Sequence, residues 1–136
     1  MQQPDLLDIL VQVKRLGNLL NEIFDLTSQL AEAVDRGDQV SIQMLLAMRR
    51  EPIDKLDIVN TALREKQKSL PEEEGKHLAG LLSGGPADGP GEDKLVEQLA
   101  SNRRLLDRLI ALDQIVNRKL NRDKSIYATH PGKTKP

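Results

Sequence analysis

The chain has 136 residues, a formal net charge of −1, charged side chains at 30% and hydrophobic ones at 38%, with no cysteine, no tryptophan and single Phe and Tyr residues. Disulfides and thiolate chemistry are thereby excluded, and the near absence of aromatics disfavours sheets, whose strands prefer aromatic and β-branched residues. The even charge balance also lacks the basic stripe and stacking aromatics of a nucleic-acid binder, so no nucleic-acid partner is expected.

No apolar run approaches the roughly 20 residues needed to cross a bilayer, and Asp5 and Asp8 interrupt the opening, so neither membrane insertion nor a secretory signal is expected. A cytoplasmic location follows as the expectation, consistent with the lack of cysteine. Charge is uneven along the chain: residues 1–35 carry two basic and six acidic side chains, and residues 122–136 four basic and one acidic.

From Leu6, apolar positions recur at Ile9, Val13, Leu16, Leu20, Ile23, Thr27, Leu30 and Val34 in alternating steps of three and four. This is the seam of a long packed helix, predicted over about 5–35. Leu10, Leu19, Phe24, Leu26 and Ala31 widen the stripe, as a helix touching two neighbours requires. Gly17 costs about 1 kcal/mol relative to Ala inside a helix, and marks a place for a close helix crossing.

Asp35-Arg36-Gly37-Asp38 supplies a stop and a start: Gly37 suits the left-handed position after a helix, and Asp38 is a good N-cap. A second, antiparallel helix is expected over 39–68, burying Ile42, Leu45, Met48, Leu56, Val59 and Leu63. Pro52 removes a donor and crowds the Met48 carbonyl, which predicts a kink near Arg49 to Glu51. Glu72 to Leu82 is read as a short helix docking loosely through Leu78, Leu81 and Leu82, weakened by Gly75 and Gly80.

Residues 83–91 are Gly- and Pro-rich and read as a mobile linker. A third long helix is expected over 92–122, with the seam Leu95, Leu99, Asn102, Leu106, Leu109, Asp113, Val116, Leu120. Asn102 and Asp113 are polar within it, and both are expected to face water, the alternative being a buried pair that fixes register. The fold class is therefore all-α: a long antiparallel hairpin plus a third long helix, as a three-helix bundle or coiled coil, in a single domain over 1–125. A mostly disordered tail is expected over 126–136, where the sequence turns basic and rich in helix breakers.

Nothing in this layout suggests catalysis. His77 and His130 lie in the segments least able to fix ligand geometry, no Ser sits beside a positioned His, and the Gly-rich stretch lacks the Lys-Ser or Lys-Thr ending of a phosphate loop. No catalytic residue, cofactor or metal is expected. The segment Ser41 to Ile53 is instead apolar on more faces than a surface helix needs, and Met44 and Met48 add the adaptable surface suited to varied partners.

Several phrases in order, Arg36-Gly37-Asp38, Gln43-Met44-Leu45-Leu46-Ala47-Met48-Arg49 before Pro52-Ile53, Asn102-Arg103-Arg104-Leu105-Leu106 and Asp123-Lys124-Ser125-Ile126-Tyr127, resemble the bacterial flagellar export chaperones of the FlgN/FliT type. The resemblance implies a cytoplasmic chaperone that binds a terminal helical segment of an unassembled hook-associated or filament-cap protein and delivers it to the export apparatus. The Gly- and Pro-rich insert at 84–91 and the basic tail depart from that pattern. On this reading Met44, Met48, Leu99, Leu106, Leu109 and Val116 are the candidate partner-binding residues. A structural coiled-coil adaptor, or a homodimer using the same seams, is the alternative.

Overall fold

The structure is a computed structural model that describes residues 1–129, with side chains described through residue 122. It contains four helices and, among the described residues, no strand: α1 (Gln3–Arg36), α2 (Gln39–Ser69), α3 (Glu72–Leu82) and α4 (Glu92–Thr129). The expected all-α architecture is thus observed. α4 runs seven residues beyond the expected end at 122, since no Gly or Pro interrupts the sequence before Pro131. The tail expected over 126–136 lies, from residue 130 onward, outside the described residues.

α1 begins with Pro4 in its first turn and ends in a Schellman motif. Gly37 adopts φ +68°, its N–H donates to the Val34 carbonyl, and the Asp38 N–H donates to the Ala33 carbonyl. The Asp38 side chain then caps α2 by accepting from the Ser41 N–H at 3.1 Å and the Ser41 hydroxyl at 2.6 Å. Those bonds, with nearby Arg36, hold the Asp38 carboxyl below its ordinary range. The reversal read from four residues is therefore the one that forms.

Side-chain contacts fix the helix directions. Lys66 near the end of α2 reaches Asp5 and Asp8 at the start of α1, at 2.7 and 3.7 Å, so these helices are antiparallel. Lys119 of α4 pairs with Asp35 at the end of α1, so α4 runs parallel to α1. α2 has already returned the chain to the end where α1 starts, so α4 begins there and runs parallel to α1, while α3 and the loop 83–91 descend part of the bundle and return between them. α1 packs along both α2 and α4, whereas the backbones of α2 and α4 scarcely approach one another.

The α1 seam is buried at every expected position except Leu16, which is half-buried. α2 differs from expectation in one respect. Its inward residues are Ile42, Leu45, Arg49, Pro52, Leu56, Val59 and Leu63, an unbroken alternation of three and four, and Met48 stands outside it at 50% exposure. Pro52 is buried and does not end the helix.

Polar residues divide the core into three apolar clusters. The first joins Leu6, Ile9, Val13 and Leu19 of α1 to Val59, Leu63, Leu78, Leu81 and Leu95. The second joins Leu20 and Ile23 to Leu109, with Phe24, Ile53, Leu56 and Leu105 beside them. The third joins Leu26, Leu30, Ala33 and Val34 to Ile42, Leu45 and Val116. Gly17 and Asn102 stand between the first and second; Thr27, Arg49 and Asp113 stand between the second and third.

Candidate functional site: a trough between α2 and α4

Because α2 and α4 each pack on α1 and not closely on each other, a trough runs between them with α1 as its floor. α3 fills its upper part, through Leu78 and Leu81, which are 0% and 2% exposed. The docking is therefore close, in contrast to the loose seat expected from the flanking glycines. Below α3 the trough opens as a cleft of about 180 Å³, floored by Leu16 and Leu20, walled by Leu56 and Asn60 on one side and Leu99, Asn102, Arg103 and Leu106 on the other, and closed above by Leu82. Leu106 and, one turn on, Ile110 are 40% and 47% exposed. A second cleft of about 270 Å³ lies between α4 and the chain after α3, lined by Leu81, Gly84, Gly85, Val96, Leu99, Arg103 and Arg104, among others.

Two polar contacts bracket the cleft. At its upper end Asn102 is buried: its Nδ2 donates to the Val13 carbonyl at 2.8 Å and its Oδ1 accepts from Gln98 Nε2 at 2.9 Å. At the lower end Arg49 Nη2 donates to Asp113 Oδ1 at 2.9 Å, spanning α2 to α4. The expectation that both seam residues face water therefore fails for Asn102, whereas Asp113 pairs with Arg49 while its side chain stays 35% exposed. They do not pair with each other, being eleven residues apart; Asn102 serves the backbone of α1, and Asp113 a cation in the α2 seam. Arg49 Nε is buried without a partner.

The loop 83–91, read as a mobile linker, is tied at several points. Glu92, 3% exposed, lies with both carboxylate oxygens 2.9 Å from His77 Nε2 and accepts from the Asp88 N–H at 3.1 Å. Burial alone would raise its carboxyl, and the bonds from Asp88, His77 and Gly89 outweigh that and hold it below the ordinary range. Arg103 Nη2 donates to the Leu82 carbonyl at 3.2 Å, where the end of α3 favours a cation.

The six candidate partner-binding residues are not brought together. Leu99 and Leu106 line the cleft. Leu109 is 8% exposed in the middle cluster and Val116 is fully buried in the lower one, so both serve the core. Met44 and Met48, 55% and 50% exposed, sit one residue before inward-facing Leu45 and Arg49, about 100° around α2 and turned away from α4. Leu16, Leu20, Leu56 and Leu82 add to the cleft lining and were not among the candidates, although Leu16, Leu20 and Leu56 lie on the seams the sequence shows.

Among the described residues no group of three His, Cys, Asp or Glu side chains could hold a metal ion, and no helix is long and apolar enough to cross a membrane. The arrangement can offer a helix a leucine-lined seat; its class is a helical bundle with an open inter-helical trough. Scans of the chain against family models, curated proteins and solved structures return no match.

Proposed function

We propose that the chain is an export chaperone of the flagellar type, which shelters an amphipathic terminal helix of an unassembled hook-associated or filament-cap protein. The observation that carries this reading is the leucine-lined cleft left open between α2 and α4 below α3. An amphipathic segment that stays disordered until assembly presents an apolar stripe at i, i+3, i+4 and i+7, and a groove between two helices covers such a stripe. Binding of this kind needs no nucleotide and no metal.

The test is calorimetric titration of the chain with synthetic terminal segments of hook-associated and filament-cap proteins. Leu106→Asp and Ile110→Asp place charges on the exposed rim without touching the buried core, and each is expected to weaken binding at least about tenfold, the effect of burying an unpaired charge. Equal affinity in both variants rules the cleft out. The second reading, a homodimerising adaptor, draws on the exposed stripe Val40, Met44 and Met48 on the other side of α2. It predicts a concentration-dependent dimer in sedimentation that Met44→Glu disperses and Leu106→Asp leaves intact.

A further inference from the structure

α3 differs from the other helices in how it is held. At eleven residues it is shorter than an isolated helix needs to persist in water, and its two glycines weaken it further. Gly75 is required by packing, since a Cβ there would lie 2.9 Å from the Gln67 carbonyl oxygen. Gly80 is not: a Cβ there would meet nothing within 4 Å. Its effect is to keep α3 weak without any gain in contact.

The seat of α3 and the open cleft are one surface. Leu78 and Leu81 lie over the upper cluster of α1, α2 and α4, and Leu82, the last residue of α3, is also the upper lining of the cleft. The same trough is thus filled by a helix above Leu82 and, among the described residues, by nothing of this chain below it. The polar ties of α3 lie along its margin rather than in the seat: the amino terminus to Glu74 at 3.6 Å, His77 to Glu92, and Arg103 to the Leu82 carbonyl. The chain also has slack enough for α3 to leave, since residues 71–91 reach about 70 Å when extended.

We infer that α3 is a plug occupying the upper part of the partner's seat in cis, displaced by a partner helix whose leucines repeat the i, i+3, i+4 spacing of Leu78, Leu81 and Leu82. This rests on the trough being the binding site and adds that the free protein is partly self-occluded. Glu92 is the latch, because its buried carboxylate joins α3, through His77, to the loop, through the Asp88 N–H. Displacement trades one leucine-bearing helix for another, so the upper cluster is never left open to water.

Two substitutions move the plug in opposite directions. Glu92→Ala removes the latch, and Gly80→Ala strengthens α3 in open space. The probe is a synthetic amphipathic peptide carrying two copies of the Leu-x-x-Leu-Leu spacing, titrated into the full chain, with hydrogen exchange of the α3 amides followed in parallel. Glu92→Ala is expected to speed that exchange and bind the peptide about fivefold more tightly; Gly80→Ala is expected to slow it and bind about fivefold more weakly, the ratio set by the helix-forming difference between Gly and Ala. If exchange moves in both variants while affinity changes less than about twofold, α3 does not compete and the plug is refuted, with the cleft still a binding site. A peptide that binds neither the native chain nor either variant removes the plug and the binding-site reading together.

Discussion

Replacing Gly17 by Ala tests how closely α1 and α4 are engaged. In an ordinary exposed helix interior the change stabilises by about 1 kcal/mol. Here the new Cβ would lie 2.6 Å from Asn102 Oδ1 and 2.9 Å from Gln98 Nε2. Asn102 is not free to retreat, because it is buried and donates to the Val13 carbonyl at 2.8 Å. Overpacking costs about 1–3 kcal/mol, and breaking the buried hydrogen bond instead costs a similar amount. Gly17→Ala should therefore destabilise by about 1 kcal/mol, and at most about 2, net of the propensity gain. Asn102→Ala should cost about 1 kcal/mol on its own. In the double variant the obstructing amide is gone and Gln98 has lost its acceptor and can swing aside, so the alanine that replaces Gly17 recovers its helical advantage. Urea unfolding followed by far-ultraviolet circular dichroism across the four chains should give a coupling of about 2 kcal/mol. If Gly17→Ala raises the midpoint in the native background, or the two changes add within about 0.5 kcal/mol, the close crossing of α1 and α4 at Gly17 does not exist.

Gly37→Ala should destabilise by about 1–2 kcal/mol in the same unfolding assay, since at φ +68° a Cβ strains the backbone even though no neighbour obstructs it. Glu92 makes α3 acid-sensitive: its carboxyl is held below the ordinary value, so its contribution is present above about pH 4.3, the unfolded value, and is lost as pH falls through the lower folded value. Protection of α3 amides in the native chain should accordingly fall toward that of Glu92→Ala below about pH 4. A difference between the two chains that is constant from neutral to acid pH would show that the carboxylate is not the anchor.

How far this architecture is legible in the sequence varies by element. The α1 seam and the Gly37-Asp38 reversal are set by spacing and by local backbone chemistry, and both form as read. On α2 the spacing was equally clear but the residue type misled: counting apolar side chains selects Met48, whereas the alternation continues through Arg49, whose charge is answered by Asp113 sixty-four residues away. Asn102 misled in the same way, its partners being a backbone carbonyl on α1 and the Gln98 side chain. The Gly- and Pro-rich stretch before α4 is locally featureless, and its anchor, a buried Glu facing a His fifteen residues earlier, has no local signature. The cleft was half legible, because Leu99 and Leu106 were seam residues, while Leu109 and Val116 belong to the same seam and went to the core.

The two polar contacts decide whether that cleft persists. Asn102 fixes α4 against α1, and Arg49 with Asp113 fixes α4 against α2, about 16 Å farther along the helix. Leu56 and Leu106 lie between these ties, and leucine side chains alone would gain by closing the gap. Removing one partner, as in Arg49→Ala, leaves a partly buried carboxylate unpaired and should destabilise by about 1–3 kcal/mol. Replacing both, Arg49→Leu with Asp113→Leu, should leave stability unchanged or raised, because partly buried ion pairs are commonly matched by apolar packing of similar volume. The same double variant lets α2 and α4 draw together, so on the binding reading its affinity for an amphipathic peptide should fall while its unfolding midpoint does not. Full binding by a chain so stabilised would mean that the ties serve the fold alone and that the spacing of α2 and α4 is set elsewhere.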